Sequence, residues 1–209
     1  MLPLSYYYKF DVGDVSNNYL LNYATNIYDG SMSLAVSINS ITKKKGTGSG
    51  SFIYSSPNYP IVTLPTFNTQ DYTNGISISF WIYPIVLSNY LAFINILPPT
   101  SQFALGYYSN AIWCNMYGTD IYTAVSVPLN VWTNIVWCIG PSTNKLNYMY
   151  VNNTKTILST IHSIPITNTV CKPTIGTNAG VVNYNGYIDD VRIYKTILSA
   201  TEINNIYTT

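Results

Sequence analysis

Along residues 75–84 the chain alternates: Ile76, Ile78, Phe80 and Ile82 fall on one side of an extended backbone, and Ser77, Ser79, Trp81 and Tyr83 on the other. That period of two predicts a strand with one face turned to a core. Further β-rich runs lie at residues 51–54, 111–117, 121–127 and 188–194. Turn signals set the runs apart: Asn74-Gly75, Leu97-Pro98-Pro99, Tyr117-Gly118, Gly140-Pro141 and Asn185-Gly186. The pattern changes only near the end. Ser199-x-x-Glu202 is a capping box, and Ile203, Ile206 and Tyr207 share one face of the short helix it opens. Many short strands and a single short helix predict an all-β, two-sheet sandwich without internal repeats.

One domain covering residues 1–209 accounts for the whole chain, since a domain of this size buries roughly 70% of its unfolded surface. No apolar run approaches the ~18 residues of a membrane span. Met1-Leu2-Pro3-Leu4-Ser5 has neither the basic start nor the long apolar stretch of a signal peptide. Neither membrane insertion nor ordinary secretion is therefore expected. The three cysteines, Cys114, Cys138 and Cys171, are an odd number without metal-ligand spacing, which predicts small core fillers rather than a disulfide framework. Asn152-Asn153-Thr154 is a glycosylation sequon, but its paired asparagines suit the left-handed backbone of a hairpin turn.

Charge narrows the function. Charged residues make up 8% of the chain and the net charge is +1, against a usual charged content of about 25%, so Ser, Thr, Asn and Tyr must cover most of the surface. Nucleic acid is excluded as a partner, because a binding groove needs clustered Lys and Arg to displace counterions. The one basic cluster, Lys43-Lys44-Lys45, leads into Gly46-Thr47-Gly48-Ser49-Gly50. Those glycines match neither phosphate-binding fingerprint, and the stretch reads as a solvated loop. Heavy use of Ile, Asn and Tyr indicates an AT-rich genome; with no targeting signal, it points to a large DNA virus and to display on a virion surface.

Seven segments together resemble the laminin-G-like branch of the concanavalin A-like lectin and glucanase superfamily. Residues 186–194 and 198–207, Gly186-Tyr187-Ile188-Asp189-Asp190-Val191-Arg192-Ile193-Tyr194 and the capped helix, resemble its closing strand and helix. Tyr8-Lys9-Phe10-Asp11 resembles its opening strand, and residues 75–84 and 129–136 its two Trp-bearing strands. Residues 146–153 and Pro173-Thr174-Ile175-Gly176 follow in the family's order. The resemblance implies a two-sheet antiparallel jelly roll with one short C-terminal helix.

It also bears on chemistry. Glucanases of this superfamily place paired carboxylates on a middle strand, because one must protonate the leaving oxygen while another attacks or activates water. This chain has a single glutamate, Glu202, committed to the helix start, and no closely spaced acids in its middle strands. His162 is the only histidine and no nucleophile elbow accompanies it. No enzymatic activity is expected. In several relatives the first Asp of the closing strand binds a structural calcium, which implies Asp189, with Asp11 of the neighbouring opening strand beside it; oxygen ligands suit that cation. The alternative is that Asp189 accepts backbone hydrogen bonds and that Asp190 faces solvent or pairs with Arg192.

Ligand recognition falls to the aromatic and amide side chains. The 21 tyrosines can stack on sugar faces while bonding sugar hydroxyls. Two loops combine rings with amides, which makes Tyr107, Tyr108 and Asn110, and Asn178, Tyr184 and Asn185, the candidate contacts. The expected function is a non-catalytic module that recognises a glycan, glycoprotein or other protein. The alternative is a structural subunit packed against neighbours in a particle, a role that a low-charge surface suits because docking desolvates few ions.

Overall fold

The computed structural model describes residues 3–55, 57–88, 90–96, 103–109, 111–116, 119–141, 147–157, 170–178 and 182–209. Its strands form two large antiparallel sheets. The first runs in the order Thr154–Ile157, Asn147–Val151, Thr133–Ile139, Ile76–Val86, Asn185–Tyr194, Ser49–Phe52 and Ser37–Asn39. The second runs Thr119–Tyr122, Ala111–Met116, Phe103–Tyr108, Tyr90–Asn95, Thr174–Ile175, Val62–Thr63, Ile27–Met32, Tyr19–Asn22 and Val15–Ser16. The fold is the all-β jelly-roll sandwich that the alternation and the resemblance imply.

Between the sheets lies the main core. Ile76, Ile78, Phe80 and Ile82 of the central strand all enter it, as their spacing predicts, and meet Phe93, Leu105, Trp137 and Ile188 from the facing and flanking strands. Strand Thr133–Ile139 is buried along its whole length. Its Ile135, Trp137 and Ile139 face the main core, while Val136 and Cys138 turn outward under a second cluster formed with Tyr150, Tyr194, Leu198, Ile203 and Ile206. The C-terminal helix Ala200–Thr208 thus closes the outer face of the first sheet. Ser199 and Glu202 form the expected capping box reciprocally, and Tyr207 stacks on Trp81 with ring centroids 5.4 Å apart.

Local rules hold elsewhere. Asn152 and Asn153 sit at φ +47° and +64° in the two-residue turn that joins Val151 to Thr154, so the sequon occupies a left-handed hairpin turn. Cys114, Cys138 and Cys171 are all free and buried. Burial pushes their thiols up to about 12, 11 and 12 respectively, which leaves them inert fillers.

The closing strand Asn185–Tyr194 positions the candidate site. On one side it pairs with the central strand along most of its length. On the other side it serves two partners: Gly186–Ile188 pair with Ser49–Phe52, and residues 191–194 with Leu4–Tyr8. The changeover falls at Asp189 and Asp190, where a bulge interrupts the register against the central strand. Asp190 adopts φ +53° there, a left-handed conformation that Asp tolerates better than most residues. The extra residue re-aims two consecutive carboxylates into the gap between the two partner strands.

Candidate functional site

That gap is a cleft of about 250 Å³, lined by Tyr7, Lys9, Asp11, Lys45, Asp189, Asp190 and Arg192. Each of its acids is held by the fold through at least one oxygen. Asp189 is completely buried, and its Oδ2 accepts the backbone N–H groups of Lys44 and Lys45, both at 2.9 Å. Asp190, 1% exposed, lies 2.9 Å from the Lys45 ammonium and 2.9 Å from the Arg192 guanidinium. Arg192 also donates to the Tyr7 hydroxyl at 3.1 Å, and Lys45 to the Ile206 carbonyl of the C-terminal helix at 2.7 Å.

Asp11 holds the other end of the same loop. Its Oδ1 accepts from the Thr47 backbone N–H, from the Thr47 hydroxyl at 3.1 Å and from the Gly48 N–H at 3.2 Å. Gly46 makes this approach possible: it sits at φ +58°, and a Cβ there would collide with the Asp11 carboxylate. The carboxylate of Asp14 secures the turn beneath, accepting from the Asp11 N–H at 2.8 Å and the Tyr23 hydroxyl at 2.6 Å. The cleft is therefore a clasp that ties the opening strand, the 43–48 loop, the closing strand and the helix together.

Its electrostatics follow from burial. Desolvation raises the Asp189 carboxyl to about 7, against the lowering effect of the Lys45 and Lys44 amides. Asp189 Oδ1 is buried and makes no hydrogen bond among the described residues, so a proton is well placed there. Calcium is a different matter, since it takes six to eight oxygen ligands. Here N–H donors converge on Asp11 and Asp189, and the Lys45 ammonium fills the position beside Asp190. Among the described residues no group of three or more His, Cys, Asp or Glu is arranged to hold a metal ion. The residues present do not fit calcium.

The residues expected from sequence are distributed unevenly. Asp189 and Asp11 do share one cleft, and Asp189 accepts backbone hydrogen bonds while Asp190 pairs with Arg192. The tyrosines behave otherwise. Tyr184 is fully buried; its ring packs edge-on against Phe93 at 5.4 Å and its hydroxyl donates to the Tyr187 carbonyl at 3.1 Å. Tyr107 is 5% exposed and enters the main core. Both are corrected to core residues: strand alternation turns Tyr107 inward, and Tyr184 enters the core from the break between two strands. Tyr108, at the strand end, is 39% exposed, and Asn185 is half-buried opposite Val86. The Asn178 backbone pairs with Val182; Asn110 and His162 lie outside the described residues. The loop at 43–45 is solvated at Lys43 and Lys44, as expected, but Lys45 is half-buried as a partner of Asp190, and the Lys44 ammonium sits 4.2 Å from the Trp81 ring centroid. Only the lysine run hinted at this, since its partners lie about 145 residues away in sequence.

Fold and clasp together define a jelly-roll domain of the lectin-like type. The family model of the concanavalin A-like lectin/glucanases superfamily matches residues 56–204, and the chain belongs to that superfamily. Domain 4 of AbnA, a GH43 extracellular arabinanase from Geobacillus stearothermophilus solved with arabinotriose, superposes with a TM-score of 0.73 at 18% identity, over 99% of both chains. The binding domain of botulinum neurotoxin DC, solved with rat synaptotagmin II, gives 0.70 at 16% identity over 98% of this chain. A botulinum neurotoxin type C structure, described as dependent for cell entry on two ganglioside molecules, gives 0.70 at 16% identity. The chain spans only 51% of each of these neurotoxin chains. At such identities the likeness carries the fold alone. No curated protein sequence matches this chain.

Proposed function

We propose that this chain is a non-catalytic recognition module for a glycan or a protein. The observation that carries the reading is the state of the acids in the cleft. Asp11, Asp189 and Asp190 each bind fixed N–H groups or cations, the unpaired Asp189 Oδ1 is buried, and Glu202 spends its carboxylate on Ser199, which leaves that cleft no accessible pair of unengaged carboxylates for hydrolysis. The arabinotriose complex of the arabinanase domain and the synaptotagmin complex of the neurotoxin domain support sugars and proteins as the ligand classes. A glycan and protein array tests this, with every hit then incubated with the protein. Specific binding without turnover is expected; reproducible cleavage of a bound sugar overturns the reading.

In this reading Lys45 and Arg192 supply the positive charge beside Asp190, and the corner requires no calcium ion. A second reading has its own observation: charged residues are only 8% of the chain, so docking against neighbouring subunits desolvates few ions, and the exposed Leu34 and Ile41 are side chains on which to probe such contacts. In that reading the domain is a structural component of a particle, and virion surface display unites it with recognition. Light scattering on the isolated protein tests it. Oligomers that dissociate in a Leu34→Ser, Ile41→Ser variant support assembly, and a strict monomer removes it.

A further inference from the structure

We infer that a neutral oligosaccharide binds in a groove on the far side of the opening strand, centred on Asp29; this rests on the glycan reading above. Two pockets of about 370 and 550 Å³ meet there and share Asp29, Pro65 and Thr66. Each falls within the roughly 300–1,000 Å³ range of small-molecule sites.

Asp29 is built for recognition. Its Oδ1 accepts from the buried Tyr8 hydroxyl at 2.6 Å and its Oδ2 from the Asn22 amide at 3.1 Å. Asn22 is itself fixed, its Oδ1 accepting the N–H groups of Tyr7 and Ala24 at 3.0 Å each. Two bonds orient the carboxylate and leave further lone pairs for sugar hydroxyls.

The walls suit the same ligand. On one side Phe67 and Tyr72 pack at a tilt with centroids 4.5 Å apart, and Tyr6 lies 6.4 Å from Phe67. Tyr72 is 1% exposed and its hydroxyl lies beside the Ser5 Oγ, so this side of the pocket is a fixed, buried floor. On the other side Tyr19 and Tyr28 are 46% and 43% exposed, so rings remain open to solvent where a sugar face can stack.

Charge then selects the class. Asp29 and Asp71 are balanced by Lys195 in the first pocket and Lys172 in the second. An anionic ligand would meet the two carboxylates, and a metal ion would meet too few of them. Neutral hydroxyls bond to both kinds of group.

The test is a glycan array of neutral oligosaccharides, arabinotriose included, followed by titration calorimetry of any hit against the wild type and three variants. Tyr28→Ala and Asp71→Asn alter exposed side chains, so the fold survives; Leu129→Ala, at an exposed residue that lines neither pocket, is the control. Wild-type binding that weakens tenfold or more in both groove variants, and is unchanged in Leu129→Ala, supports the groove. Full affinity in both variants overturns the groove and leaves the glycan reading standing. A wild type that binds no neutral glycan, or a groove that captures only a protein, overturns the groove; the glycan reading falls with it when no charged glycan binds either.

Discussion

The Lys45 ammonium and the Asp190 carboxylate lie 2.9 Å apart, and only 1% of the Asp190 side chain is exposed. Removing one member of a buried pair strands the other, which costs about 3–5 kcal/mol. Asp190→Ala strands two cations, Lys45 and Arg192, and is expected to lose that much, read from urea unfolding. Lys45→Met leaves Arg192 in place and should cost less. A clasp that contributes nothing would show both variants unfolding at the wild-type midpoint.

Because Lys45 already supplies the cation, melting temperature should be the same in millimolar calcium and in excess chelator. A rise with calcium that disappears in Asp189→Ala would restore the metal to this cleft, since a ligand bound only by the folded state must stabilise it.

Asp189 makes stability depend on pH. Its folded carboxyl titrates at about 7, against 3.8 unperturbed. Across that window the folded chain holds a proton that the unfolded chain has released, so stability falls as pH rises from 4 to 7. The slope is on the order of 1.4 kcal/mol per pH unit. Asp189→Asn keeps an acceptor for the Lys44 and Lys45 amides but does not titrate. In chelator, its unfolding midpoint should lose this part of the slope and exceed the wild type at pH 8. Parallel pH profiles for the two proteins would contradict the assignment.

Helix docking is measurable through its cap and its contact face. Ser199→Ala should cost about 1 kcal/mol by freeing the Glu202 N–H, and Ile203→Ala about 2–5 kcal/mol by opening a cavity over Val136 and Cys138. Cys138 reports the result independently. Its thiol should resist alkylation at pH 8 in the native protein and react in Ile203→Ala; equal protection in both would mean that the helix does not cover it.

The alternation of Ile76 to Ile82, the Asn152-Asn153 turn and the Ser199 capping box were legible because each depends on neighbours within a few residues. Asp189 and Asp11 were legible through family resemblance, which carries the order of strands. The loop of Lys45 was visible, but not its destination, because no local pattern encodes contact with a carboxylate so far along the chain. Tyr107 and Tyr184 misled for a different reason. Tyrosine suits both a core and a sugar platform, and its abundance here removes any contrast between the two. Asp29 left no signal at all: its partners Tyr8 and Asn22 come together only when the opening strand lies beside Tyr19–Asn22 and Ile27–Met32.

The divided edge of the closing strand sets a timetable for synthesis. Residues 4–8 are made well before the edge they pair with, residues 191–194. At about 5–20 residues per second, the opening strand waits on the order of 10–40 s with that side uncovered. The two halves of the clasp are likewise born apart, the 43–48 loop early and Asp189 late. A nascent chain stalled before residue 189 would therefore hold most of the second sheet's strands but lack the piece that locks the first. Such a chain should remain sensitive to protease at its N-terminus until the final turn of the sandwich emerges.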